Sequence, residues 1–292
     1  MDASIDSRDL PSTERRFRMA DGIELVADTW GSPDHQPAVL LHGGGQTRHA
    51  WKRTAAVLAS HGYYAIAADL RGHGDSGWSP DGKYAIDKFA GDVRTLAEGL
   101  SRKPILIGAS LGGIASLIAA GESPSPIAVA LVLVDITPRV DAVGVGRIRG
   151  FMAAHINDGF ATLEDAADAI AAYLPHRPRP KNLNGLRKNL RLGSDGRYRW
   201  HYDPAFVHDD TRRGDANRET RLTAAAQNLN VPVLLVRGGS SELVSEEIAR
   251  EFVSRVPNAR YVDVKGAAHM VAGDVNDPFT EQVVGFLDSL PK

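Results

Sequence analysis

Residues 104–113 read Pro-Ile-Leu-Ile-Gly-Ala-Ser-Leu-Gly-Gly, a stretch that holds both a candidate buried strand and the turn that ends it. The apolar run predicts the strand, and the Gly-x-Ser-x-Gly pattern that follows places Ser110 at its centre. A sharp turn from strand to helix brings neighbouring backbone within contact distance, so any side chain at Gly108 or Gly112 would collide with it. The sequence therefore predicts a serine hydroxyl on the tightest bend of the chain.

Short apolar runs alternate with helix-like stretches on both sides of this turn. Strands are predicted at residues 16–20, 23–30, 38–41, 64–68, 105–107, 129–134, 233–236 and 261–264, and the first two form a hairpin through an Asp-Gly turn. Helices are predicted at residues 51–60, 87–100, 111–120, 245–256 and 278–290. The alternation indicates an α/β fold with a mostly parallel, eight-stranded sheet that carries helices on both faces.

Residues 138–228 interrupt this alternation. They contain helix-like segments at residues 145–154, 163–173 and 183–192, and they lie between two predicted strands of the sheet. We interpret them as a helical cap, or lid, inserted over the carboxyl edge of the sheet. The core domain would then comprise residues 1–137 and 229–292.

The composition excludes several classes of function. The chain has 292 residues, of which 43% are apolar and 24% charged, and a net charge of -2 gives no general attraction to nucleic acid or to an anionic membrane. No apolar run approaches 18 residues, and the first 13 residues are polar, without the apolar centre of a secretory signal. We expect a cytoplasmic protein with a small-molecule partner, no nucleic acid and no membrane. A homodimer is an oligomeric state that the sequence leaves open.

The sequence also argues against a bound cofactor. There is no cysteine, which excludes disulfides and thiolate metal sites, and no His-Glu-x-x-His or clustered Asp pattern predicts another metal site. Residues 72–77 fit Gly-x-Gly-x-x-Gly, but turn-forming residues follow where a dinucleotide site requires a helix. We therefore predict no metal and no cofactor.

A serine hydroxyl becomes a good nucleophile only when a base lies within hydrogen-bonding reach. His269 follows the predicted strand at residues 261–264, which places it at the carboxyl end of the last strand. The turn that carries Ser110 ends at the same edge of the sheet, where open α/β sheets bind their ligands. The sequence therefore predicts His269 as the base.

Two carboxylates could orient this histidine, because both follow strands that end at the same edge. Glu242 comes shortly after the strand at residues 233–236, and Asp135 directly follows the strand at residues 129–134. The chain order Ser110, Glu242, His269 is the order that nucleophile, acid and base take after a Gly-x-Ser-x-Gly turn, and we favour Glu242. Asp135 remains the alternative.

The backbone after the strand at residues 38–41 reads His-Gly-Gly-Gly, and glycines let a ligand approach without obstruction by side chains. The N–H groups of Gly44 and Leu111 are the predicted donors to the negative oxygen that forms when serine attacks a carbonyl. Residues expected to line an apolar substrate pocket are His42, Met152, Trp200 and Tyr202.

Four motifs in this order give the chain its resemblance to the capped α/β-hydrolases. They are Leu-His-Gly-Gly-Gly at residues 41–45, Asp-Leu-Arg-Gly-His-Gly-Asp-Ser at 69–76, Gly-Ala-Ser-Leu-Gly-Gly at 108–113 and Gly-Ala-Ala-His at 266–269. The resemblance implies a metal-independent serine hydrolase that cleaves a carboxylic ester or lactone through an acyl-enzyme. Members of the family usually have Asp where this chain has Glu242.

Other activities are compatible with the same residues. The glycines after His42 are similar to those of carbon-carbon bond hydrolases that act on ring-cleavage products, although those usually continue with Pro-Gly, where this chain has Gln46 and Thr47. Cofactor-free perhydrolases or haloperoxidases use the same three residue types. A third alternative is a ligand receptor without turnover, to which some members of the fold are similar.

Overall fold

The computed structural model describes residues 10–175, 179, 183–209, 217–269 and 276–290. Within these residues the main sheet has eight strands in the order β1-β2-β4-β3-β5-β6-β9-β10. They are β1 Thr13–Arg18, β2 Glu24–Trp30, β3 Gln36–Leu41, β4 Tyr63–Ala68, β5 Ile105–Ala109, β6 Ala130–Val134, β9 Val233–Gly238 and β10 Ala259–Val264. Strand β2 pairs antiparallel with β1 and with β4, and the other pairs are parallel. The predicted mostly parallel eight-stranded sheet is confirmed.

Helices cover both faces of this sheet, as predicted. The described helices are α1 Lys52–Ser60, α2 Ile86–Glu98, α3 Leu111–Gly121, α4 Ala142–Ala153, α5 Leu163–Tyr173, α6 Pro204–His208, α7 Arg218–Gln227, α8 Glu246–Arg255 and α9 Asn276–Asp288. Because successive side chains of a strand point to opposite faces, Val39 and Leu41 of β3 join the apolar cluster under α2, α3, α7 and α8. Ala38 and Leu40 join the cluster under α1 and α9. No described helix is both long and apolar enough to span a membrane. The sequence predicts no secretory signal in the first 13 residues, and residues 1–9 of this segment lie outside the described residues.

The turn between β5 and α3 has the strained geometry that the two glycines predict. Ser110 has φ 46° and ψ -110°, a region that residues with a side chain rarely occupy. A Cβ on Gly108 would lie 2.5 Å from the Gly112 carbonyl carbon and oxygen. A Cβ on Gly112 would overlap the carbonyl oxygen of Leu41 at the end of β3. The expectation that a side chain at either glycine would collide with backbone is confirmed.

We expect Gly112→Ala to lower the free energy of unfolding by about 3 kcal/mol, because the backbone of β3 must move to admit the methyl group. Gly285→Ala in α9 is the matched control, since its Cβ would meet no described atom within 4 Å. The control should raise the free energy of unfolding by about 0.5–1 kcal/mol through helix propensity. Urea unfolding of both variants measures the difference. A Gly112→Ala protein as stable as the wild type would refute the close approach of α3 to β3.

The inserted segment, residues 138–228, is less helical than predicted. It contains α4 to α7, but residues 186–192 form a short 3₁₀ helix, Leu186–Asn189, followed by strand β7, Leu190–Leu192, which pairs antiparallel with β8, Tyr198–Trp200. The helix predicted at residues 183–192 is therefore wrong. The cause is the Gly-Ser-Asp-Gly turn at residues 193–196, where Gly196 has φ 77° and the Gly193 N–H donates to the Arg197 carbonyl.

Helix α7 packs on the core helix α3 although it lies inside the inserted segment. A Cβ on Gly121, the last residue of α3, would overlap the backbone of Ala225 in α7. Leu222 and Ala226 of α7 also belong to the apolar cluster on the α3 face of the sheet. The division into a core domain and a cap at residues 138–228 stays a prediction.

Candidate active site

Ser110 and Asp135 directly follow two neighbouring strands, β5 and β6, at the carboxyl edge of the sheet. Ala109 of β5 pairs with Val134 of β6, and the Ser110 N–H donates to the Val134 carbonyl at 3.2 Å. The Asp135 N–H donates in turn to the Val236 carbonyl of β9 at 2.8 Å. Asp135 has φ 50°, so both residues bend the chain sharply where their strands end. Such shared strain at adjacent strand ends is typical of functional sites.

His269 lies beside this aspartate. Its Nδ1 is 2.8 Å from the Asp135 Oδ2, and the aspartate is fully buried while the histidine side chain is 14% exposed. Because an ionised carboxylate only accepts hydrogen bonds, this contact assigns the histidine proton to Nδ1. The Nε2 is then the atom that can accept a proton from a hydroxyl group.

The loop after β3 lies against the serine. A Cβ on Gly43 would be 3.4 Å from the Ser110 Cβ. The N–H of Gly43 donates to the Gln46 side-chain oxygen at 2.9 Å, and that of Gly45 to the His73 Nε2 at 3.1 Å. In the described part of the chain, by contrast, neither the Gly44 N–H nor the Leu111 N–H has an acceptor. These two groups remain available to a ligand.

Comparisons with known proteins show the family of this chain. A family model described as the alpha/beta hydrolase fold matches residues 37–274. The chain belongs to the α/β-hydrolase fold family. It is 32% identical to an esterase of Mycobacterium tuberculosis, over 96% of this chain and 90% of that protein. The chain is therefore a hydrolase of this family.

Two further relatives show the range of the family. A non-heme chloroperoxidase of Burkholderia pyrrocinia is 26% identical, over 85% of this chain and 90% of that protein. The crystal structure of an E-2-(acetamidomethylene)succinate hydrolase superposes with a TM-score of 0.80 at 25% identity, covering 96% of this hydrolase and all of that chain.

The structure corrects the preferred acid of the hydrolase. The carboxylate of Glu242 does not contact His269; its Oε2 is 2.8 Å from the Nη1 of Arg147 in α4, and both side chains are partly exposed. The preceding residue, Ser241, points toward Asp135 instead, and its hydroxyl donates to Oδ2 at 2.6 Å. The chain turns at Ser241, whose hydroxyl accepts the N–H groups of Leu243 and Val244, and the Glu242 side chain leaves this turn toward Arg147. The structure therefore places the alternative, Asp135, and not the preferred Glu242, against the histidine.

His42 is also placed differently from the prediction. Its ring is fully buried, Nε2 accepts the Leu70 N–H at 3.0 Å, and Nδ1 lies 2.8 Å from the Gly43 carbonyl, to which it donates. Burial lowers the pKa of His42, because the charged form loses its hydration. Since backbone groups occupy both ring nitrogens, His42 supports the loop and does not line the substrate pocket.

Met152 is the predicted pocket residue that does reach the glycine loop. Its Cε would lie 3.2 Å from a Cβ on Gly45, and the ring of Phe206 would lie 3.3 Å from a Cβ on Gly44. Phe206 was not predicted, although the Asp-Pro pair before it marks the start of the short helix α6. Its ring packs at 4.5 Å from the ring of His73. A flexible thioether and a rigid aromatic ring therefore cover the loop.

The other two predicted pocket residues, Tyr202 and Trp200, hydrogen-bond to the backbone at and just after Met152. The Tyr202 hydroxyl is buried and donates to the Met152 carbonyl at 2.7 Å, and burial raises the pKa of Tyr202. The Trp200 indole N–H donates to the Ala154 carbonyl at 3.3 Å, and its ring packs against Phe151 and Phe160. Among the described residues, no cluster of three or more His, Asp or Glu could hold a metal ion.

Proposed function

We propose that this hydrolase cleaves carboxylic esters or lactones of small molecules through an acyl-enzyme on Ser110. The observation that carries the proposal is the His269–Asp135 hydrogen bond of 2.8 Å at the edge where Ser110 ends its strand. A serine, a histidine and a carboxylate in this order form the arrangement that activates a hydroxyl nucleophile. The similarity to an esterase supports an ester as the substrate.

The reaction follows from the assigned proton positions. The Ser110 Oγ attacks the ester carbonyl carbon while its proton passes to Nε2 of His269, and Asp135 stabilises the imidazolium that forms. The imidazolium gives the proton to the leaving alcohol, and the acyl group stays on Ser110. Water then transfers a proton to His269 and attacks the acyl-enzyme, which releases the carboxylic acid and restores the serine hydroxyl.

The two available N–H groups supply the electrostatic part of catalysis. Gly44 and Leu111 would donate to the carbonyl oxygen as it becomes negative, and each such donor contributes about 100-fold to 1,000-fold in rate. Gly44 lies in a loop that the hydrogen bonds of Gly43 and Gly45 hold in place, and Leu111 begins α3, so both groups can bind the oxygen without rearrangement. Met152 and Phe206 would bind an apolar part of the substrate next to this oxygen.

A fluorophosphonate probe tests the proposal directly, because it reacts with an activated serine and mimics the tetrahedral intermediate. We expect mass spectrometry to find one adduct, on the peptide that contains Ser110, and the labelled protein to lose hydrolysis of p-nitrophenyl acetate. Protein unfolded in urea is the control and should not react. A folded protein that hydrolyses esters but is labelled elsewhere, or not at all, would contradict the proposed nucleophile.

The chloroperoxidase relative favours a second candidate, perhydrolysis. Hydrogen peroxide would replace water in the second step, attack the acyl-enzyme and release a peracid, with His269 again accepting the proton. Rates with acetate plus hydrogen peroxide and with short esters, measured on the same protein, separate the two activities. Faster peracid formation than ester hydrolysis would make perhydrolysis the principal activity.

A further inference from the structure

We propose that Ser241 is a positioning residue, whose hydroxyl fixes the orientation of Asp135. This inference rests on the proposed function, because Ser241 acts on the reaction only through Asp135 and His269. The loop after β9 is where the family usually carries its acid. Here the acid comes from β6, and the β9 loop supplies hydrogen-bond donors to it.

The proton of the Ser241 hydroxyl has a single available direction. Its oxygen accepts the N–H groups of Leu243 and Val244, each at 3.0 Å. Because a hydroxyl oxygen has two lone pairs, these two bonds saturate its acceptor capacity. The one remaining donor points to the Asp135 Oδ2 at 2.6 Å. The loop thereby holds the hydroxyl as a fixed donor, which a freely rotating serine would not be.

Asp135 needs such donors because its carboxylate is fully buried. Burying a charge without hydrogen bonds is costly, and a carboxylate stays ionised in such a place only when donors surround it. The Gly238 N–H donates to Oδ1 at 3.0 Å, while Ser241 and His269 share Oδ2. Donors on both oxygens fix the plane of the carboxylate, and this plane directs Oδ2 at the histidine.

The shared oxygen links Ser241 to the placement of His269. Without the hydroxyl, the carboxylate keeps the Gly238 N–H on Oδ1 but loses the fixed donor on Oδ2, so its plane can turn away from the histidine Nδ1. An imidazole that is held less firmly lowers the rate of the chemical step. The loss should therefore appear in kcat and leave KM nearly unchanged.

The other charged groups around this loop have partners different from the Ser241 hydroxyl. Glu242 pairs with Arg147 of α4, and Arg237 of β9 pairs with Asp263 of β10, at 2.8 Å each. Asp141 accepts the Gly144 N–H at the start of α4, and its own N–H donates to the Leu243 carbonyl. Asp135 is therefore the charged group through which the Ser241 hydroxyl reaches His269.

The test compares Ser241→Ala with Ser240→Ala, the exposed neighbour on the same loop. For Ser241→Ala we expect kcat to fall about tenfold while KM stays within about twofold of the wild type. Ser240→Ala should match the wild type in both. An unchanged kcat in Ser241→Ala, or a loss that appears only in KM, would overturn the inference, provided that the wild type hydrolyses esters.

A double-mutant cycle separates positioning from general damage to the loop. In an Asp135→Asn background, adding Ser241→Ala should change kcat by less than about twofold, because the group on which Ser241 acts is already altered. A further tenfold loss would show that Ser241 acts independently of Asp135 and would overturn the inference. A wild type that hydrolyses no ester would instead refute the proposed function.

Discussion

Replacing Ser110 by alanine is expected to lower kcat for p-nitrophenyl acetate by about 10⁴-fold to 10⁶-fold, because the variant lacks the hydroxyl on which the proposed acyl-enzyme forms. The KM should change little, since the groups proposed to bind the substrate remain. They are the side chains of Met152 and Phe206 and the N–H groups of Gly44 and Leu111. The fold should also survive, because alanine keeps the Cβ at φ 46° and the Ser110 side chain makes no cap hydrogen bond to α3. Steady-state kinetics and a thermal unfolding curve measure both expectations.

Ser123→Ala is the matched control for this variant. Ser123 is half-buried just after the end of α3 opposite to the turn, and its hydroxyl donates to the Ala119 carbonyl at 2.7 Å. We expect its kcat to remain within about threefold of the wild type, because this hydroxyl contacts no residue of the candidate site. If Ser110→Ala were a folded protein with ester turnover similar to that of Ser123→Ala, the nucleophile would be another group.

Asp135→Asn should lower kcat by about 10⁴-fold, the second largest effect we expect. The amide of asparagine can donate where the carboxylate only accepts, so the proton of His269 would be held on Nε2 and could no longer be accepted from Ser110. The loss should appear in kcat, with KM nearly constant, because the Asp135 carboxylate hydrogen-bonds to Gly238, Ser241 and His269 and not to the groups proposed to bind the substrate. Steady-state kinetics between pH 6 and pH 9 would measure it.

Glu242→Gln is the informative comparison, because Glu242 is the acid that we favour from the sequence. Its ion pair with Arg147 is partly exposed, and such pairs contribute little to stability or to the chemistry. We expect kcat to change by less than about threefold. The opposite ranking, with a large loss in Glu242→Gln and a small one in Asp135→Asn, would show that the functional enzyme uses an arrangement different from this structure.

The main elements of the fold could be predicted from the sequence because their signals are local. The run before Ser110 is apolar throughout, which suits a strand that is buried on both faces, and glycines stand at the two positions where a side chain would collide. The β7–β8 hairpin was missed because its strands have three residues each, too few to show an alternating pattern. The composition of residues 183–192 is helix-like, and only their pairing with residues 198–200 in the structure identifies the strand at their end.

The sequence by itself determined the class of fold, the serine turn and the histidine that follows the last strand, since each depends on residues that are neighbours along the chain. Only the tertiary structure decided which carboxylate meets His269. Asp135 and Glu242 both follow a strand that ends at the same edge, and both lie between Ser110 and His269 in the chain. The choice depends on which side chain the β9 loop turns inward, and hydrogen bonds between groups more than 100 residues apart set that direction.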